Sequence, residues 1–321
     1  MKSEYISDKL KVQWLEITEE NSGQRIDNFL ITLLKGVPKT RIYRIIRKGE
    51  VRVNKGRIDN KYRLEVGDNV RIPPIRVAVR NNEIDLKPRL KHSLEHHILY
   101  EDDVLIVLNK PAGFAVHGGS GISSGVIEAL RVLRPDARFL ELAHRLDKDT
   151  SGCLLVAKKR SSLKALHDLF RGDGVKKTYL ALLVGKWDKK KQIVNAPLLR
   201  NTGKGGERLV KVSKAGKFAE TRFRRIQAYP SFTLVEASPK TGRTHQIRVH
   251  AAWLGHPIVG DNRYGDEMLN KNLRKQGYKR LFLHAEQLQF AHPLSGEIMC
   301  FKAPLAAELE KSLNLMKTNS T

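Results

Sequence analysis

The first candidate for chemistry is a polar, turn-rich segment, His144–Gly152, which leads directly into the apolar run Cys153–Ala157. A loop at a strand end is where a scaffold presents reactive groups. Within it, Asp147 lies between Arg145 and Lys148. Such positive neighbours keep a carboxylate ionised and therefore nucleophilic. An Asx turn or a surface ion pair explains the same residues equally well, so this segment alone assigns no role.

A second candidate segment, Thr241–His250, carries a cation on a predicted helix. The apolar spacing predicts a helix over Thr244–Leu254, with Thr244 as its N-cap. Arg248 lies next to the apolar side of this helix, where burying a guanidinium is costly unless an anion pairs with it. An otherwise isolated carboxylate such as Asp147 would satisfy that need. A surface arginine on an amphipathic helix is the alternative.

The elements that must position these residues are short apolar runs separated by glycine and proline residues. Their order is not a regular βαβα alternation, so the pattern predicts an α+β domain dominated by sheet. The predicted strands are Val104–Leu108, Cys153–Ala157, Tyr179–Val184, Phe232–Ala237 and Leu281–Leu283, and the other predicted helices are Val126–Leu133 and Ser162–Phe170.

The front of the chain has a different pattern. Apolar spacing from Ile26 to Leu34 predicts one amphipathic helix, and a second helix follows residues 36–38, which contain Gly and Pro. Lys39–Lys48 holds five cations and no acid, which favours contact with a phosphate backbone over a solvated helix face. The predicted RNA-contacting residues are Lys39, Arg41, Arg44, Arg47, Lys48, Arg52 and Lys55.

Composition agrees with a polyanionic partner. The 321 residues carry 59 Lys and Arg against 34 Asp and Glu, a net charge of +25, and such an excess stores self-repulsion unless a polyanion offsets it. The two cysteines, Cys153 and Cys300, exclude a disulfide framework and a multi-cysteine zinc site, including that of a zinc nucleobase deaminase. They suit a reducing cytoplasm. We therefore expect a cytoplasmic protein with no metal and no membrane span.

Two adjacent prolines at 73–74 and the polar stretch after them indicate a boundary between two domains. The end of the chain is polar, which is typical of a frayed tail. The predicted divisions are an N-terminal extension (1–17), a basic RNA-binding domain (18–80), a linker (81–97), a larger domain (98–310) and a C-terminal tail (311–321).

Together these segments resemble a known family. His144–Gly152, Asn109–His117, Lys177–Tyr179 and Thr241–His250 are similar to the motifs of the RluA family of pseudouridine synthases, and Gly23–Ile72 resembles the S-four RNA-binding domain. The resemblance implies a small N-terminal αL (S-four-like) domain in front of a catalytic domain. The latter would have the pseudouridine synthase fold, a mixed, mostly antiparallel β-sheet flanked by helices.

The resemblance also implies roles for individual residues. Asp147 corresponds to the family nucleophile, Arg248 to the arginine paired with it, and Tyr179 to the tyrosine that stacks on the target base. Arg145 matches the arginine that fills the space left by the flipped base. The adjacent pair at 110–111, Lys110 and Pro111, matches a motif that packs near the active-site tyrosine.

The implied reaction detaches uracil from its ribose, turns the base and rejoins it through carbon 5. This isomerisation needs neither redox chemistry nor ATP, and no cofactor is expected. The base must first be extruded from its stack. The carboxylate would either attack the sugar or help to deprotonate it, and Tyr179 would remove the proton from carbon 5 directly or through water.

Within the family, the chain is most similar to members that act on several uridines of large-subunit (23S) ribosomal RNA. That RNA is the implied partner, either naked or in an assembly intermediate, and we expect a monomer. Two alternatives stay open at this point. One is a non-catalytic RNA-binding or ribosome-assembly factor with the same fold, and the other is an RNA N-glycosidase, which would release free uracil.

Overall fold

The computed structural model describes residues 11–19, 21–34, 36–75, 94–118, 125–202 and 208–318. The chain divides into two compact units, Met1–Glu83 and Ile84–Thr321. Most of the linker predicted over 81–97, namely 81–93, lies outside the described residues.

The first unit packs two helices on an antiparallel sheet. The helices are α1 (Ile26–Leu33) and α2 (Lys39–Arg47), and the strands are β1 (Gln13–Glu16), β2 (Arg52–Val53), β3 (Gly56–Arg57) and β4 (Asn69–Ile72), in the order β1-β4-β2-β3. The predicted apolar stripes of both helices are buried in one core, except for Leu33, which is 37% exposed. Because β1 pairs along its whole length with β4, residues predicted as an extension belong to this sheet, and the boundary predicted at residue 18 is too late.

The second unit is built on a ten-stranded sheet. Its strands are β5 (Ile98–Glu101), β6 (Leu105–Lys110), β7 (Glu141–Leu142), β8 (Ser151–Ala157), β9 (Lys176–Val184), β10 (Lys191–Asn195), β13 (Glu220–Ala228), β14 (Phe232–Pro239), β15 (Leu283–Ala291) and β16 (Ile298–Lys302). The order is β10-β13-β14-β9-β15-β8-β6-β5, with β16 on β15 and β7 on β8. Among the described strands, β8 and β15 form the one parallel pair, so the predicted mixed, mostly antiparallel sheet is confirmed. A separate hairpin joins β11 (Leu198–Thr202) to β12 (Arg208–Val212).

The helices of this unit cover both faces of the sheet. They are α3 (Val126–Leu133), α4 (Arg160–Arg171), α5 (Gln246–Trp253), α6 (Glu267–Lys275) and α7 (Ala307–Thr318). Helix α7 occupies most of the predicted tail, and its Met316 is 3% exposed, so burial of an apolar side orders residues that their polar composition suggested would fray. Within the described residues, none of the helices combines the length and apolar character that crossing a membrane requires.

Strand β8 shows why the sheet makes a firm support for a site. All seven of its residues are buried. Leu154 packs in the cluster that contains the buried face of α3, whereas Leu155 packs on the opposite side with Leu166 of α4. A strand that is covered on both faces has a continuous apolar sequence, and the apolar run Cys153–Ala157 predicts β8 for this reason.

Candidate active site

Asp147 lies in the loop between β7 and β8, where the sheet holds the chain tightly. The Thr150 amide donates to the Asp147 carbonyl at 3.2 Å, which closes a turn just before β8. Gly152 has a φ of 110°, and a Cβ there would clash with the backbone of Ala285 on β15. Glycine is therefore required at this close approach, and the loop that carries Asp147 ends at a constrained position.

Lys110 ties this loop to the preceding strand. Its side chain is completely buried, and Nζ donates to the carbonyls of Pro111 (2.8 Å), Phe114 (2.9 Å) and Lys148 (3.1 Å). Three acceptors match the three N–H groups of an ammonium. Burial lowers the pKa of Lys110 to about 7, and the negative charge of Asp149 opposes that shift. The described contacts of Lys110 thus fasten the backbone next to Asp147.

Arg248 lies on the buried side of α5 and bridges two carboxylates. Its Nε and Nη2 donate to Asp261 at 2.8 and 2.7 Å, and Nη1 donates to Asp147 Oδ2 at 3.3 Å. Burial disfavours the charge of Arg248, but the hydrogen bonds and charge of Asp261, aided by Asp147, outweigh it and raise the pKa of the guanidinium. The main partner of Arg248 is therefore Asp261 rather than Asp147.

Asp261 was missed in the sequence analysis. It is 1% exposed, and its Oδ1 also accepts from the backbone amides of Arg263 (2.9 Å) and Tyr264 (3.1 Å). Burial acts to raise the pKa of Asp261, but the contacts with Arg248 and these amides outweigh it and lower the pKa. The residue sits in a turn between two glycines, and no periodicity or spacing there indicates a buried carboxylate.

Tyr179, on β9, lines one cavity with Arg145, Asp147 and Arg248. Burial, and then the negative charge of Asp147, raise the pKa of Tyr179, so its phenol stays protonated in the free protein. Arg145 is exposed and lines both this cavity and an adjoining larger groove, which also has Lys110 and Pro111 in its wall. In the described ranges, no three His, Cys, Asp or Glu side chains converge as metal ligands would.

The start of α5 differs from the sequence prediction. The helix begins at Gln246 with His245 as its N-cap, rather than with Thr244. Gln246 explains this, because its Oε1 accepts from the Arg243 amide (3.0 Å) and from Thr241 Oγ1 (2.7 Å) and so orders the preceding turn. His245 lines the same cavity as Asp147, although it is not among the residues whose roles were predicted from the sequence.

The predicted RNA-contacting cations lie together in the first unit. Six are exposed and Arg41 is half-buried. Across the residues that the structure describes, the seven form no ion pair within 4.0 Å. Arg57 and Arg71 stand opposite Arg52 on the neighbouring strands, a grouping of cations that sequence spacing did not indicate because strand pairing brings distant residues together.

The sequence and the fold match a known class of enzyme. A model of the RNA pseudouridylate synthase family matches residues 104–253, and an S4 (S-four) domain matches residues 24–70. The chain belongs to the RNA pseudouridylate synthase family and is an RNA pseudouridine synthase, which confirms the predicted fold and enzyme class.

Among named relatives, the chain is similar to ribosomal large subunit pseudouridine synthase C of two bacteria. It is 57% identical to that of Haemophilus ducreyi over 303 residues, covering 94% of this chain and 95% of the relative. It is also 57% identical to that of Escherichia coli strain K12 over 310 residues, covering 95% and 97%.

Solved structures give the same result. Human RNA pseudouridylate synthase domain containing 4 is 29% identical with a TM-score of 0.60, covering 71% of this chain and 96% of that one. Human RNA pseudouridylate synthase domain containing 1 is 25% identical with a TM-score of 0.55, covering 69% and 94%.

Proposed function

We propose that this enzyme converts several uridines of large-subunit (23S) ribosomal RNA to pseudouridine, with Asp147 as the nucleophile. The observation that carries the proposal is the Asp147 carboxylate, 19% exposed and joined to Arg248 in a cavity that Tyr179 also lines. The names of the relatives and the net charge of +25 support ribosomal RNA as the substrate. All of these groups come from one chain, so the proposal includes a monomeric enzyme.

Asp147 acts where the bond from uracil nitrogen 1 to the ribose anomeric carbon breaks. The electron pair of that bond leaves with the base, and Asp147 either bonds to the anomeric carbon or removes a neighbouring ribose proton. The base then turns and carbon 5 bonds to the anomeric carbon, while the bond from Asp147 to that carbon breaks or, on the other route, Asp147 returns the proton to the ribose. Carbon 5 finally loses its proton while nitrogen 1 gains one, so the product has the atoms of the substrate.

Arg145 supports extrusion of the target base. Removing a stacked uracil costs a few kcal/mol, and an exposed guanidinium at the mouth of the cavity is placed to occupy the gap. The ring of Tyr179 offers a surface for the flipped base, and base–aromatic stacking contributes about 1–3 kcal/mol. Together these contacts offset part of the cost of extrusion.

Tyr179 also takes part in the last proton transfer. Because its raised pKa keeps the phenol protonated, the hydroxyl accepts the carbon 5 proton only while passing its own proton to water. Such a relay needs the oxygen but not a free phenolate.

Tyr179→Phe should therefore slow loss of the carbon 5 hydrogen by about 100-fold, within the usual range for positioned acid–base groups, while the stacking surface remains. Single-turnover release of tritium from RNA labelled at uracil carbon 5 measures this step. Tyr278→Phe, a matched change in the core, should leave the rate unchanged. An unaltered rate in Tyr179→Phe shows that the hydroxyl is not needed.

The cations of α2 are proposed to bind RNA phosphates. Replacing Arg41, Arg44 and Arg47 by Ala should weaken binding and reduce the slope of log K against log salt by about 2 to 3, since each phosphate contact releases close to one counterion. Filter binding across a salt series measures the slope. The charge-matched control replaces the exposed α6 residues Lys271, Arg274 and Lys275, and equal slopes for the two triple variants contradict the assignment.

The function as a whole is tested by mapping pseudouridine across ribosomal RNA after deletion and restoration of the gene. We expect several 23S positions to lose the modification and to regain it on restoration. An unchanged 23S pattern together with defective ribosome assembly would instead favour a non-catalytic assembly factor. Release of free uracil from RNA by the purified protein would indicate an N-glycosidase.

A further inference from the structure

His245 has an unusual backbone for its position. Its φ of 53° and ψ of 20° place it in the left-handed region, which is uncommon for a residue other than glycine and carries a cost that the surroundings must offset. In the described residues, the other non-glycine positions with positive φ, Asn54 and Lys55, form a hairpin turn in the first unit. His245 instead adopts this conformation in the wall of the cavity that holds Asp147.

The hydrogen bonds of Tyr264 leave its hydroxyl hydrogen available to a nitrogen of His245. The Val210 amide donates to Tyr264 Oη at 3.2 Å, so that oxygen accepts there. The same hydroxyl lies 2.7 Å from His245 Nδ1, and its hydrogen is free to be donated to that nitrogen. A neutral imidazole whose Nδ1 accepts carries its proton on Nε2.

Nε2 of His245 faces the proposed nucleophile. It lies 3.8 Å from Asp147 Oδ1, while Arg248 Nη1 contacts the other oxygen, Oδ2. A separation of 3.8 Å exceeds a direct hydrogen bond, and a small approach of the carboxylate or one bridging water closes it. Burial lowers the pKa of His245, against the opposing charge of Asp147, which agrees with a neutral ring.

Tyr264 supports both groups that face the carboxylate. Besides its hydrogen bond to His245, the centroid of its ring lies 5.2 Å from the guanidinium carbon of Arg248. The backbone amide of Tyr264 also donates to Asp261, the main partner of Arg248. One residue therefore links the two donors that approach the two oxygens of Asp147.

We infer that His245 is a positioning residue for Asp147: its Nε2–H, oriented by Tyr264, directs Oδ1 while Arg248 holds Oδ2. The two donors together set the plane of the carboxylate toward the base and sugar. This inference rests on the proposed function, because it requires Asp147 to be the nucleophile.

Two substitutions distinguish this positioning role from one in which only the left-handed backbone conformation of residue 245 matters. Glutamine places an N–H at the same number of bonds from Cα as Nε2, whereas the side chain of asparagine ends at the equivalent of Nδ1 and cannot reach Asp147. Asparagine, however, tolerates the left-handed conformation better. If His245 positions Asp147, His245→Gln should therefore be more active than His245→Asn. If only the backbone conformation matters, His245→Asn should be the more active variant.

The experiment measures single-turnover pseudouridine formation by the full-length protein on a 23S transcript, with RNA affinity and thermal unfolding measured in parallel. We expect His245→Asn to slow the reaction about 10- to 100-fold, the range for losing a hydrogen bond to a charged group. We expect His245→Gln to stay within about fivefold of wild type and RNA affinity to change less than about twofold, since no RNA contact is removed. Equal rates for the two variants, or a faster Asn variant, overturn the inference.

Tyr264→Phe provides a second test that leaves the histidine in place. It removes the hydroxyl that orients the ring, and we expect a rate loss of about tenfold, as for one hydrogen bond. A wild-type rate rejects the orienting role of Tyr264. Asp147→Asn in the same assay separates the two proposals: an active Asp147→Asn overturns the proposed function, whereas an inactive one beside a fully active His245→Asn overturns only the role of His245.

Discussion

Asp147→Asn is expected to reduce pseudouridine formation by about a thousandfold or more, as removal of an enzyme's central nucleophilic group does. Asparagine keeps the shape of the side chain but is a far weaker nucleophile and base. RNA affinity should change little, because the phosphate contacts of the protein are untouched. Single-turnover formation of pseudouridine in a 23S transcript, with filter binding of the same RNA, measures both quantities.

The fold should tolerate this change for a specific reason. Arg248 makes its two shorter hydrogen bonds to Asp261 and only one, at 3.3 Å, to Asp147. The guanidinium therefore keeps a charged partner in Asp147→Asn, and the melting temperature should stay close to that of wild type.

Asp136→Asn is the charge-matched control for Asp147→Asn, since it removes the same charge from an exposed position that lines neither the cavity nor the adjoining groove. Near-wild-type activity is expected for this control. Turnover by Asp147→Asn within about tenfold of wild type would show that the carboxylate does not carry the chemistry.

Asp261→Asn is the second change with a large expected effect, and it acts first on stability. Asp261 is almost fully buried and holds the buried Arg248 by two hydrogen bonds. Breaking a buried ion pair by removing one partner costs about 3–5 kcal/mol, because an uncompensated charge is left inside. Since Asp147 still pairs with Arg248 in this variant, we expect the free energy of unfolding to fall by about 3 kcal/mol, at the lower end of that range.

The activity of Asp261→Asn should fall as well, by about 100-fold, which is the size of effect expected when a reacting group is misplaced. Without Asp261, Arg248 is free to pair more closely with Asp147 and to turn that carboxylate away from the substrate. Urea unfolding measures the stability, and single-turnover kinetics at a temperature where the variant is folded measures the rate. Glu267→Gln, at an exposed position of α6, is the control, and an unfolding midpoint equal to that of wild type contradicts the prediction.

The stability contributed by Asp261 should also depend on pH. Contacts with Arg248 and backbone amides outweigh burial and hold the pKa of Asp261 below its ordinary value. The folded state therefore binds this proton less readily than the unfolded state. The contribution is fully present above the unfolded pKa of about 3.9 and is lost as the pH falls through the lower folded value. The stability difference between wild type and Asp261→Asn should narrow over that acidic window.

Much of the site could be predicted because its residues lie in short, continuous segments. The polar run before an apolar strand made Asp147 a candidate and a cation beside an apolar helical side made Arg248 one, and the family resemblance supplied the roles expected of both. The helices α1 and α2 followed from apolar spacing alone, since burial of one helical side is a local property of the sequence. The same spacing placed most of the predicted RNA-contacting cations opposite the buried side of α2.

Asp261 and Tyr264 could not be predicted in this way. They lie in a turn whose composition is ordinary, and only the packing of that turn under α5 brings them to Arg248. Thr244 was expected to cap α5 from local preference, but the hydrogen bonds of Gln246 place His245 there instead. Contacts between distant segments placed Asp261 and Tyr264 beside Arg248, whereas side-chain hydrogen bonds within the turn decided where α5 begins.

The amino-acid sequence by itself determined the class of enzyme and the basic character of the first unit, and it made Asp147 the candidate for the reactive acid. Those properties depend on residue type and on spacing along the chain. Only the tertiary structure decided that Arg248 is held mainly by Asp261 and that the ring of His245 faces Asp147. Those properties depend on which segments the sheet brings together, and hydrogen bonds between distant residues leave no period in the sequence.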